Sequence, residues 1–240
     1  MVSLKVFLQR RFPRLHGLWR AIHRLPLALR SPEAIFTAYY ERNHWDSRGL
    51  GSVSGPGSTS EQTEALRAHL PALLRRYDVR TLLDMPCGDF QWMSQVAADV
   101  EIIGADIVAP LIAANRRRYN DERWTFIRLD ILSDPLPASD LILCRDCLVH
   151  FSYRHVRRAL AHIRASTASY LLTTTFPEVE HNHNIVTGEW RPLNLERPPF
   201  SFPPPLTWID EGRFHFGEAP QAQGLLTKRL ALWSLESLPE

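Results

Sequence analysis

The chain has 240 residues, 45% hydrophobic and 22% charged, with 28 Lys and Arg against 26 Asp and Glu. That suits one globular domain able to bury a core of its own. Three cysteines exclude a disulfide framework, and no charge-free apolar run is long enough for a membrane-spanning helix.

The basic charge sits at the start. Residues 1–32 hold seven basic groups and no acid; taking those from 28 leaves 21 basic against 26 acidic groups, a net of −5 for the rest. A net acidic body has no broad electrostatic footprint for nucleic acid, so none is expected as a partner. Over residues 1–30 arginines interrupt every apolar run, which excludes the h-region of a secretory signal. Leu15, Leu18, Trp19 and Ile22 share one face of a basic amphipathic helix. Such an arm either packs on its own domain with its basic face in water or rests on an anionic membrane surface. A transit peptide fits less well, since Ser3 and Ser31 are its only serines. The expected location is the cytoplasm, with the inner membrane face as the surface the arm would touch. Lys5 and Lys228 are the only lysines, which reflects genomic base composition and points to no function.

Ser31-Pro32-Glu33 reads as a helix start, with the helix running to about Arg42. Residues 49–60 must be loop, because four glycines and a proline break any element. Ser58-Thr59-Ser60-Glu61 fits a capping box, followed by a helix with Leu66, Leu70, Leu73 and Leu74 on its apolar stripe. Residues 31–78 thus form a helical cap with a Gly/Ser loop, ahead of a core over 79–240.

In that core short apolar strands alternate with helices. Strands are expected at 81–83, 101–105, 124–129, 140–144 and 170–176, with helices at 91–96, 111–119 and 152–163. This alternation means an α/β fold whose parallel sheet is covered on both faces. Residues 177–205 are a long proline-rich loop, and 206–209 and 229–235 are candidates for two closing strands.

Asp84, Asp106 and Asp130 each end a strand, 22 and 24 residues apart. Ligands of open parallel sheets bind outside the carboxyl ends of the strands, at the switch point. An acid ending the second strand can accept both hydroxyls of a ribose; one ending the third can take an adenine amine. The pattern therefore fits an adenosine-containing ligand. After the first strand comes D-M-P-C-G-D-F, which lacks the G-x-G-x-x-G of a pyrophosphate site, and Pro86 has no N–H to offer a phosphate. No P-loop is present either. S-adenosylmethionine (SAM) carries no phosphate, and its sulfonium tolerates a ring of carboxylates.

These residues resemble the motifs of class I SAM-dependent methyltransferases. The run at 82–90 resembles motif I, 103–107 motif II, 129–131 motif III and 140–151 motif IV, so the likeness covers roughly residues 60–176. More narrowly, the combination of S-G-P-G-S, P-C-G-D-F-x-W-M and R-P-L-N-L resembles a bacterial subgroup of that family. The resemblance implies a doubly wound, Rossmann-like sheet of seven strands with the last antiparallel. It implies SAM as cofactor, held by Asp84, Met85, Pro86, Cys87, Gly88, Asp106, Ile107, Asp130 and Ile131. Pro86 and Phe90 stand where the usual turn has glycines, which leaves the Cys87 and Gly88 backbone as expected cofactor contacts.

The acceptor side is read from chemistry. Methyl transfer needs alignment, and an oxygen acceptor gains from a neutral imidazole as base. His150 follows the fourth strand and is the first choice for that base, with Asp146 to orient it or hold the acceptor. Each also has an ordinary reading: Asp146 capping a turn, His150 packed under the sheet edge. No N/D-P-P-Y/F motif follows the strand, which counts against base-amino methylation. The expected acceptor is a small-molecule or glycan hydroxyl, with Arg191 and Asn194 as substrate-facing residues of the long loop. No metal is expected: Cys144-x-x-Cys147 beside Cys87 reads as buried thiols, and His181 and His183 lack a partnering acid. Trp45, Ser54–Ser58 and Trp92 either pack as a cap or close over the site. A SAM-binding protein without catalysis and a nicotinamide enzyme are the rival readings.

Overall fold

A computed structural model describes residues 27–45, 52–215 and 225–239. The basic arm expected over residues 1–30 lies, but for its last four residues, outside the described residues.

Helix α1 spans Pro32–Glu41, started as expected by Ser31, whose Oγ accepts from the Ala34 amide at 3.2 Å. Helix α2 spans Glu64–Arg76. The capping box does not form. Thr63 stands at the N-cap and its hydroxyl donates back to the Thr59 carbonyl at 2.8 Å, so residues 59–63 make a separate turn.

The sheet follows: β1 (Thr81–Asp84), β2 (Glu101–Asp106), α3 (Ala109–Arg118), β3 (Trp124–Arg128), β4 (Leu141–Cys144), α4 (Tyr153–Arg164), β5 (Tyr170–Thr175), β6 (Thr207–His215) and β7 (Leu225–Ser234). The strand order is β3-β2-β1-β4-β5-β7-β6. The first five strands are parallel, and β7 is antiparallel to both of its neighbours. This is the seven-stranded α/β sheet that the motifs implied, last strand antiparallel.

Residues 91–96 differ from expectation. Only one 3-10 turn forms, at Met93–Gln95, and the chain is already extended at Val96. Phe90, just before that turn, has a positive φ of 56°, which is not helical backbone. Strand residues alternate between the two faces of the sheet. Leu82, Leu141 and Leu143 pack with Leu66, Leu70 and Leu74 of α2, while Leu83 and Ile142 pack with Val156, Ala159 and Ile163 of α4. Burial on both faces is why these strands read as unbroken apolar runs. Among the described residues, no helix is long and apolar enough to cross a membrane.

The chain runs from β1 outward to β3, then returns to β4 on the other side of β1. Asp84 is registered with Gly104 of β2 and Leu143 of β4, so three carboxyl-end strand termini meet at this switch point.

Candidate functional site

A cavity of about 810 Å³ opens there. Asp84, Met85, Pro86, Cys87 and Gly88 line it after β1, Asp106 and Ile107 after β2, and Asp130 and Ile131 after β3. Arg145, Asp146, Cys147 and His150 line it after β4. Its remaining wall includes Phe36, His44 and Trp45 at and after α1, and residues of the Gly/Ser loop. The three strand-end carboxylates therefore share one space.

Their environments differ. Asp106 accepts from the Val108 amide through Oδ1 at 3.0 Å and from the Gly88 amide through Oδ2 at 3.2 Å. Burial nevertheless raises its carboxyl to about 6, against the pull of those amides. Burial pushes Asp84 well above the usual carboxylate range; Arg145 opposes the rise and Asp106 adds to it. Asp130 accepts from the Leu132 amide at 2.9 Å. Asp84 Oδ2 and Gln62 Oε1 are buried without a donor among the described residues, and both residues line the cavity. Buried acceptors left unmatched are costly, so they mark where a donor-bearing ligand fits.

The turn after β1 is hydrogen-bonded within the protein. The Cys87 amide donates to the Ala105 carbonyl at 2.8 Å, and the Gly88 amide is the one bound to Asp106. The Gly88 carbonyl accepts from Asn115 Nδ2 at 2.7 Å. Both turn N–H groups are thus bonded within the protein. Phe90, at φ 56°, turns away from the cavity and packs edge-on against Tyr119, Trp124 and Phe126, with ring centroids 4.9–5.3 Å apart. It leaves the space between the carboxylates open.

The Gly/Ser loop is clamped onto this turn. Asp89 accepts from Ser52 Oγ at 2.8 Å and from the Val53 amide at 3.1 Å, and its own amide donates to Ser54 Oγ at 2.8 Å. Asp89 was not among the expected site residues, although its place directly after Gly88 is a signal in the sequence.

His150 ends a 3-10 turn, Leu148–His150, and its Nδ1 lies 3.0 Å from the Glu189 carbonyl. A carbonyl only accepts, so Nδ1 carries the proton and Nε2 keeps its lone pair. Burial holds the imidazole below its ordinary range, so it is neutral at pH 7.

Asp146 is held in a charge cluster at the cavity wall. Lys228 Nζ binds its Oδ2, Arg145 Nη1 lies 3.5 Å away, and the Thr174 hydroxyl donates to Oδ1 at 3.3 Å. The two cations hold its carboxyl far below the usual range despite burial. It is a permanent anion, no base, and it makes no hydrogen bond to His150; the Glu189 carbonyl orients that ring instead. Glu211 of β6 completes the group. Arg145 Nε donates to it at 3.0 Å, and Lys228 Nζ lies 3.1 Å from it. Arg145 also donates to the Gly57 carbonyl, so the charge cluster holds the loop from below.

Arg191 and Asn194 do not face an acceptor. The Arg191 guanidinium is buried and donates to the Leu148 and Phe151 carbonyls at 2.9 Å and to the His183 carbonyl at 3.2 Å. Asn194 Nδ2 donates to the Pro177 and Val179 carbonyls at 3.1 and 3.0 Å. Both stitch loop 177–205 to the protein. Asn182 does the same through the Asn194 and Pro198 carbonyls. Cys87, Cys144 and Cys147 are buried free thiols. Among the described residues, no group of His, Cys, Asp and Glu is arranged to share a metal ion.

Known proteins place this geometry. Residues 82–169 match a family model described as a methyltransferase domain. No curated protein matches the chain in sequence. Magnesium protoporphyrin IX methyltransferase from Synechocystis PCC 6803, solved with SAM, is 14% identical with a TM-score of 0.53, over 86% of this chain and 99% of that one. The 1,6-didemethyltoxoflavin-N1-methyltransferase of Burkholderia thailandensis, solved with 1,6-didemethyltoxoflavin and S-adenosylhomocysteine, is 17% identical with a TM-score of 0.51, over 85% and 91%. Human N-acetylserotonin methyltransferase in complex with SAM is 14% identical with a TM-score of 0.52, over 84% and 59%. At these identities the likeness is one of fold. Residues 82–169 are similar to that methyltransferase domain, and the seven-stranded sheet around them shares the Rossmann-like fold of these structures.

Proposed function

We propose that the protein transfers the methyl group of SAM to a hydroxyl of a small-molecule or glycan acceptor. The observation that carries this reading is the pair of donorless buried acceptors, Asp84 Oδ2 and Gln62 Oε1, in a cavity also lined by Asp106 and Asp130. Such a site favours a ligand with several N–H and O–H donors and positive charge, and it disfavours phosphate. Bound SAM supplies an electrophilic methyl group. In this reading Asp106 accepts the ribose hydroxyls, Asp130 the adenine amine, and Asp84 with Gln62 the amino group of the methionine part. His150 Nε2 takes the proton of the acceptor hydroxyl. Trp45 and the Gly/Ser loop exclude water from that end.

The test is label transfer from methyl-labelled SAM into fractionated lysate. A labelled, hydroxyl-bearing small molecule or glycan supports the reading; label confined to amines or nucleic acid contradicts it. A SAM-binding protein without turnover is favoured by one observation, the prior commitment of the Cys87 and Gly88 amides. Binding of S-adenosylhomocysteine with no label transfer to any fraction would select that second reading.

A further inference from the structure

We propose that the acceptor is a phenol, a planar aromatic alcohol seated against Trp45 and Phe36 with its oxygen at His150. This rests on the methyl-transfer reading and narrows it.

The first support is the wall beside the base. The Trp45 ring lies 5.9 Å and the Phe36 ring 6.5 Å from the His150 ring, centroid to centroid. Phe36 and Trp45 stack on each other, inclined by 25° with centroids 6.2 Å apart, so both rings are held at this wall of the cavity. That surface is fixed from behind. A Cβ added at Gly55 would lie 3.2 Å from Trp45 Cβ, so the loop presses against Trp45 with no room between. Tyr39 packs edge-on to Trp45 at 5.2 Å, and its hydroxyl donates to the Gly188 carbonyl at 3.0 Å, joining α1 to the loop that orients His150. A pre-ordered aromatic face suits a flat ring.

Sugars also lie on aromatic rings, but they need polar side chains with unused hydrogen-bonding capacity around them. The charged groups at the end of β4 are instead paired with one another. Asp146 is bound to Lys228 and faces Arg145, and both cations also meet Glu211. Arg191 and Asn194 are committed to backbone carbonyls.

The second support is the strength of the base. A neutral imidazole deprotonates a group ionising near 10, as tyrosine does, far more readily than an ordinary hydroxyl, whose ionisation lies nearer that of water at about 15.7. Burial weakens His150 further as a base, which sharpens the preference. The step balances: the phenolic oxygen forms the new bond to the methyl carbon, and the sulfur–methyl bond breaks with its electron pair left on sulfur. The phenolic proton passes to His150 Nε2 and then to water.

The experiment uses the full chain. Calorimetry with S-adenosylhomocysteine first establishes that the cofactor site is intact. Naphthol and catechol are then compared with decahydronaphthol, cyclohexanediol and methyl glucoside. Binding to the S-adenosylhomocysteine-loaded protein is read by tryptophan fluorescence, and label transfer from SAM is read separately. The phenols are expected to bind and to be labelled at least roughly tenfold faster than their saturated counterparts. Trp45→Ala is expected to raise KM for naphthol by about two- to tenfold, the worth of one aromatic stack, and Trp45→Phe to restore most of that loss. Saturated alcohols labelled as fast as phenols, or no phenol bound by the loaded protein, would overturn the inference and leave methyl transfer standing. Failure to bind S-adenosylhomocysteine would show in the calorimetry and defeat both.

Discussion

The Gly88 amide donates to Asp106 Oδ2 at 3.2 Å, tying the turn after β1 to the end of β2. One carboxylate thus shapes the turn and faces the cavity. Asp106→Ala is expected to weaken S-adenosylhomocysteine binding by on the order of 100-fold or more, since two charge-assisted hydrogen bonds are lost. Calorimetry on the folded variant reads this directly.

Acidity gives a second handle on Asp106. Folded, it binds its proton with a pKa of about 6, against 3.8 as the ordinary value. Between these values the folded chain holds the extra proton, so its stability falls as pH rises, by on the order of 3 kcal/mol. Asp106→Asn is expected to remove that slope, shown by denaturant melts of the ligand-free protein at several pH values from 4 to 7. S-adenosylhomocysteine affinity is expected to fall as pH drops through about 6.

For His150 the expectations separate binding from turnover. His150→Ala should leave S-adenosylhomocysteine affinity within about threefold and lower kcat by on the order of 10²–10⁴, the range of general-base loss. Because burial lowers its pKa, the acid limb of the wild-type rate profile should lie below the ordinary histidine value of 6.5. Equal losses of affinity and rate in the variant contradict the assignment.

Gly88 sits at φ 54°, and a Cβ there would lie 2.3 Å from Ser54 Oγ. Gly88→Ala should destabilise the fold by about 1–3 kcal/mol, a Tm drop of roughly 2–4 °C per kcal/mol for a chain this size. Ser54→Gly in the same chain relieves the collision but not the backbone strain, so rescue should be partial.

Lys228 faces two acids, the half-buried Asp146 and the buried Glu211. Lys228→Met leaves one negative charge in excess beside Arg145 and should cost about 3–5 kcal/mol in urea melts. Adding Glu211→Gln restores the balance and should return part of that loss. An additive double variant would show that the cluster is not coupled.

Where the sequence could be read followed from how local each signal is. Ser31 and Ser152 cap helices within three residues, and the strand ends at Asp84 and Asp106 close short apolar runs, so both were visible. The charge cluster was not: Arg145 meets Glu211 66 residues away, and Asp146 meets Lys228 82 residues away. No periodicity carries such a pairing. Arg191 and Asn194 misled for a related reason. A polar residue in a loop looks available for substrate until the loop's own carbonyls are counted, and here those carbonyls take both side chains. The tautomer of His150 depends on a carbonyl 39 residues on, so sequence could offer it as a candidate base but not show which nitrogen is free.

Calorimetric titration of the intact protein with S-adenosylhomocysteine near neutral pH tests the central claim most directly. One-site binding that disappears in Asp106→Ala is the predicted result. A folded wild-type protein that releases no heat with the ligand and is not stabilised by it in a thermal melt would contradict the account.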